Sequence, residues 1–152
     1  MEADVDTKLL AADTTLIFAF SFARTLCAIL LSPEFPGWLA PVDADPIRLA
    51  TTFGFAGSYA VLWVGAALAL GSFAPGVDEE SVNAVGVGGA LRCFGLAATA
   101  YCVLGLVLGL VAGDAELVPA ALRLSVDNVE AVVGEGAALV AWRSLLADSI
   151  PR

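Results

Sequence analysis

Hydrophobic positions in this chain come as long unbroken runs, and charge is confined to the gaps between them. Residues 49–77 contain no charged side chain, and neither do residues 93–113. Neither run alternates as a half-buried strand does, and neither has the single polar face of a surface helix. A stretch apolar on all sides and about 20 residues long matches a bilayer core roughly 30 Å thick. Helix is the expected form, because hydrocarbon offers no partner to an unpaired peptide group.

Extending this pattern along the chain predicts an all-α integral membrane protein, one domain over residues 1–152, with four transmembrane helices. The first span is placed at 14–31, with Asp13 or Thr14 as its cap and Pro33 as its stop. Four prolines, Pro33, Pro36, Pro41 and Pro46, exclude regular helix from the following connection, where Trp38 is read as an interfacial anchor. The second span is placed at 47–73, opening behind Pro46, which suits a first helical turn, and closing before Pro75 and Gly76. The third is placed at 87–113. Its exit, residues 114–128, is expected to form a short surface helix after Pro119, with Leu117, Val118, Leu122 and Leu124 toward the membrane. The fourth, 129–147, has spanning length but carries Glu130, Glu135 and Arg143. Its alternative is a helix lying along the surface, which would place the termini on opposite sides.

Composition narrows the partners. Apolar residues form 59% of the chain and charged residues 15%, and the net charge is −9. Such acidity argues against nucleic acid and against a peripheral protein held by anionic headgroups, both of which select basic faces. Residues 1–13 are acidic, unlike a cleavable leader, so either the first span directs insertion or a presequence preceded this numbering. With four spans, Lys8, Arg92, Arg143 and Arg152 share one side and Arg48 and Arg123 the other. The bias of positive residues puts both termini on the cytosolic, stromal or matrix side.

Small residues supply a candidate contact face. Gly95, Ala98, Cys102, Gly105, Gly109 and Gly113 recur at three- and four-residue spacing, and the second span offers Gly54, Gly57, Ala60, Gly65 and Ala69. In lipid such stripes let backbones approach, because packing replaces the expulsion of water as the gain. The expectation is a tight helix pair within the chain or with a neighbouring subunit, weighed against the ordinary abundance of Gly and Ala in spans.

The charges within the spans carry the remaining candidate chemistry. Arg24 falls about ten residues into span one, roughly 15 Å deep, and Glu135 falls near mid-depth of span four. An isolated charge there costs at least ~2.5–3.5 kcal/mol, so such groups pair or line a cavity. The expectation is an intramembrane ion pair, Arg24 with Glu135. Two sharper readings compete. Glu135 could couple protons in a small oligomeric transporter or channel, although the chain has no His for a relay. Alternatively Asn128, Glu130 or Glu135 could ligate the magnesium of a chlorophyll, although residues 129–143 lack the repeated Glu and Arg pairing of light-harvesting proteins.

Other chemistry fails on inventory. Without His, the usual haem ligand and triad base are missing. Cys27, Cys93 and Cys102 form no C-x-x-C pair, and Gly86, Gly88 and Gly89 lack the Lys and Ser or Thr of a phosphate loop. The expected function is therefore a non-catalytic accessory subunit of a large membrane complex, bound to other membrane subunits and to lipid. A photosynthetic (photosystem–antenna) supercomplex of an alga, in the thylakoid, is placed ahead of a mitochondrial respiratory complex. No intrinsic cofactor is expected, with chlorophyll, carotenoid or lipid at the periphery.

Overall fold

A computed structural model describes residues 5–31, 46–73, 84–112 and 118–149. They form four long helices: α1 (Thr7–Leu30), α2 (Pro46–Ala69), α3 (Val87–Ala112) and α4 (Val126–Ser149), with a single 3-10 turn at Ala120–Leu122. No strand occurs among them. Each helix packs on its sequence neighbours, and α1 also packs on α4, so the four close into a ring. Pairings between α1 and α4 run antiparallel: Asp13 meets Arg143, and eight residues further along α1 Ser21 meets Glu135. Thr7 and Ser149 therefore lie at the same end of the bundle.

Three helices, Thr7–Leu30, Ala50–Ala69 and Val87–Val111, are long and apolar enough to cross a membrane. At 24 residues, α4 has the length as well, about 36 Å. Its polar content hides a clear division of faces. Ala131, Val132, Glu135, Leu139 and Arg143 are buried, while Val129, Val133, Ala137, Ala141 and Leu145 form an exposed apolar stripe.

Helix ends depart from the expected boundaries for local reasons. α1 begins at Thr7 and not at 14, because Asp6 caps it by accepting from the Lys8 and Leu9 backbone N–H groups at 2.9 and 3.1 Å. Asp13 is thus no cap; it lies inside the helix and is fully buried. α2 ends at Ala69, short of Phe73. Gly71, with φ +65°, sits where the backbone turns left-handed, Ser72 N–H reaches back to the Ala67 carbonyl, and Gly71 N–H to that of Leu68. That is a Schellman termination, for which glycine is the favoured residue.

The exit from α3 also differs from expectation. Among the described residues between Val118 and the start of α4, Ala120–Leu122 coil, and this turn packs against α2 and α3 instead of lying on the membrane surface. Val118 and Ala121 are buried. The Tyr101 hydroxyl donates to the carbonyls of Ala121 and Arg123, and the Asn128 amide donates to those of Ala120 and Arg123. These bonds satisfy backbone groups that the short turn leaves open. Trp38, the expected interfacial anchor, lies outside the described residues.

Candidate functional site

The bundle interior contains two polar layers. The first is an end knot built on Arg143 of α4. Its Nε donates to both carboxylate oxygens of Asp13 at 3.1 Å, and its Nη2 to Oδ2 at 2.6 Å. Trp63 of α2 adds an indole N–H to the same Oδ2 at 2.8 Å. The remaining guanidinium nitrogen, Nη1, donates to the carbonyls of Ser72 at 3.0 Å and Val85 at 3.4 Å. These two carbonyls flank the connection between α2 and α3, and the ring of Phe73 lies 5.2 Å below the guanidinium carbon. The Cys93 thiol bonds the Ser72 hydroxyl, and Asp6 N–H bonds the Phe73 carbonyl.

Every helix contributes to this knot. Arg143 is 1% exposed and Asp13 0%, so both charges are fully withdrawn from solvent and lipid. A buried ion pair is retained at low cost only when its spare donors and acceptors are bonded, and here both oxygens and all three guanidinium nitrogens are.

The second layer lies eight residues further along α1, about 12 Å away. Ser21 donates to Glu135 Oε1, joining α1 to α4. Thr25 and Thr52 share a hydroxyl–hydroxyl bond at 2.8 Å, joining α1 to α2. Glu135 is 0% exposed, yet its Oε2 has no hydrogen-bond partner. The hydroxyl of Tyr59, also 0% exposed, and Nε of Arg24 are likewise unpartnered. Arg24 rests its guanidinium carbon 5.7 Å from the centre of the Phe55 ring, Tyr59 stacks on that ring at 6.0 Å, and Tyr101 meets it edge-on at 6.5 Å.

Arg24 and Glu135 thus face the same layer, but no ion pair joins them. Among the described residues one ion pair forms, Asp13 with Arg143. The physical reason is competition: Ser21, one turn from Arg24, reaches the Glu135 carboxylate first, and the guanidinium lies against an aromatic face.

The other candidate residues fall apart in space. Glu135 is enclosed between α1 and α4, where no planar macrocycle reaches it with the helices as they stand; Glu130 is exposed, and Asn128 spends its amide on backbone carbonyls. Of the small-residue stripe, Gly105 is buried, its Cα facing the Leu122 carbonyl so closely that a Cβ would lie 2.8 Å from it. Gly95, Cys102 and Gly109 are exposed on the outer side of α3, Ala98 is half-buried, and Gly113 lies outside the described residues. The stripe that packs inside is Ala90, Cys93, Ala97, Tyr101 and Gly105. Another close approach was not foreseen: a Cβ on Gly136 would sit 2.2 Å from the ring of Phe94, so α4 admits that ring only because position 136 has no side chain.

The sequence offers Asp13 as a cap and Arg143 as a charge within the fourth span, joins neither to the other, and does not single out Trp63 as their partner. Their common signal was the eight-residue step from 135 to 143 on α4, mirrored from 13 to 21 on α1. Among the described residues, no three His, Cys, Asp or Glu side chains converge on a common metal position. Comparison with protein-family models, with curated proteins and with solved structures finds no match to this chain.

Proposed function

We propose that the protein is an integral membrane four-helix bundle that serves as a non-catalytic accessory subunit of a larger membrane complex. The observation that carries this reading is the division of faces on α4. Its charges Glu135 and Arg143 turn inward, and its outward stripe from Val129 to Leu145 is apolar. With that stripe, α4 becomes a fourth span beside the three apolar helices, and both helical termini, Thr7 and Ser149, emerge on one side.

Support for an accessory role comes from the outer surface. Leu106, Leu110 and Val111 of α3 and Val61 of α2 are more than half exposed, and Gly95, Cys102 and Gly109 run between exposed apolar side chains on α3. An apolar surface with shallow, small-residue tracks suits lipid and neighbouring helices. Purification in mild detergent is the test. Co-migration with other membrane subunits is the expected result, and a lone, monodisperse bundle would overturn it. The narrower placement in an algal thylakoid, ahead of a mitochondrial inner membrane, rests on composition; co-purifying chlorophyll absorbance checks it.

A second reading, a small oligomeric transporter, is favoured by one observation, the unpartnered Oε2 of Glu135 at mid-bundle. Reconstituted into vesicles, a transporter would move its solute and lose that activity in Glu135→Gln while folding normally. An accessory subunit would show no flux to lose.

A further inference from the structure

Two carboxylic side chains are fully buried in this bundle, and they are not held alike. Asp13 and Glu135 are each 0% exposed. Asp13 accepts from Nε and Nη2 of Arg143 and from the Trp63 indole, so a full positive charge stands against it. Glu135 accepts from one neutral donor, the Ser21 hydroxyl, on Oε1. Its Oε2 has no hydrogen-bond partner, and among the described residues no cation lies within ion-pair distance of it.

The helices packed on α4 do not supply the missing charge. They are α1 and α3. From α1 come Ser21 and Arg24, and the Arg24 guanidinium lies on the Phe55 ring. From α3 comes Cys93, whose thiol is bonded to the Ser72 hydroxyl, while Arg92 is exposed. On α4 itself Arg143 is committed to Asp13, and Glu130 is exposed. Across the bundle, Tyr59 of α2 brings a hydroxyl without charge.

In water, a glutamate side chain at pH 6 is ionised by about 50 to one. That preference depends on hydration. An unpaired carboxylate withdrawn from water takes up a proton instead of staying charged. The neutral acid asks less of its surroundings: Ser21 still donates to Oε1 as the carbonyl oxygen, and Oε2 carries the hydrogen. We propose that Glu135 is a proton-binding site, held in the folded bundle as the neutral carboxylic acid, with its proton on Oε2, under conditions where a free glutamate is ionised. The two buried acids then stand in opposite states, Asp13 ionised against Arg143 and Glu135 neutral against Ser21. This goes beyond the accessory reading and does not depend on it, since a scaffold and a transporter can equally hold that proton.

The test is infrared spectroscopy of the full chain in vesicles of ether-linked lipid, which has no ester carbonyl to mask the region. At about pH 6, the difference between the parent and Glu135→Gln is expected to show the C=O stretch of one protonated carboxyl. The difference between the parent and Asp13→Asn is expected to lack it. In Ser21→Ala the band is expected to persist at higher frequency, because its carbonyl oxygen loses a hydrogen bond. A parent spectrum whose carboxyl region is unchanged by Glu135→Gln would overturn the proposal, and so would a band that Ser21→Ala leaves unmoved.

Discussion

The two polar layers of this bundle hold the same kinds of residue and reach opposite outcomes. At the end knot, Arg143 and Asp13 bond each other, and every remaining polar atom of either side chain has a protein partner. In the centre, Arg24 and Glu135 face each other's neighbourhood without pairing, and protein atoms leave both incompletely bonded. What differs is the surrounding scaffold. The knot lies where the turn between α2 and α3 folds inward and brings free backbone carbonyls, while the centre has only helices whose backbone is already paired. In low dielectric, the unbonded remainder decides whether a charge stabilises or strains its layer.

The contrast predicts the largest effect at the knot. Arg143→Leu would leave the Asp13 carboxylate buried with the Trp63 indole as its sole remaining donor, and would strand two carbonyls. The expected loss is about 3–5 kcal/mol, read from detergent-denaturation curves of the purified protein. Removing both charges, as Asp13→Leu with Arg143→Leu, should recover part of that loss. A double variant that is worse than Arg143→Leu alone would show that the knot holds through its geometry and not through the balance of charge.

A second prediction asks what holds the centre if its charges do not. Close backbone approach is the alternative, and Gly136→Ala tests it by driving a methyl group into the ring of Phe94. Overpacking of this kind costs about 1–3 kcal/mol, and Phe94→Leu should restore most of it. Gly95→Ala, on an open face with nothing within 4 Å, should cost no stability and gain up to about 1 kcal/mol from alanine's helix propensity. If Gly95→Ala proved as damaging as Gly136→Ala, the outer track of α3 would be a contact face after all.

The uncharged runs at 49–77 and 93–113 gave α2 and α3 directly, because no water-exposed face interrupts them. The knot was hidden because Asp13 and Arg143 are 130 positions apart, and each reads by itself, one as a cap and one as a charge within the fourth span. Nothing in linear order reports that α1 and α4 close the ring. The phase of α3 was misread for another reason. Small residues occupy several of its faces, so spacing of four selects both Gly95 with Gly109 outside and Ala97 with Gly105 inside. Tyr101, the one polar aromatic on the inner line, marked the correct phase.

A third prediction compares the two buried carboxylates. Glu135→Gln keeps the acceptor that Ser21 uses and breaks no ion pair. Its effect on stability should stay below about 1 kcal/mol, the scale of one net hydrogen bond. Asp13→Asn, made for contrast, disrupts a charge-assisted pair and should cost clearly more, on the order of 1.5–3 kcal/mol. Thermal unfolding of the two variants side by side checks the order; the reverse order would move the dominant electrostatic layer to the middle of the bundle.

The smallest effect is expected at Arg24. Its guanidinium lies on the Phe55 ring, its side chain is half-buried, and among the described residues no carboxylate stands within ion-pair distance of it. A cation on an aromatic face contributes about 0.5–1 kcal/mol where it is partly solvated, and leucine returns much of that by packing its own apolar surface on the same ring. Arg24→Leu should therefore leave the unfolding midpoint nearly unchanged, although Arg24 and Arg143 read alike as charges inside predicted spans. A loss approaching that of Arg143→Leu would mean that Arg24 and Glu135 do pair in the bilayer. The central layer would then be a second knot, and the difference between the two layers would disappear.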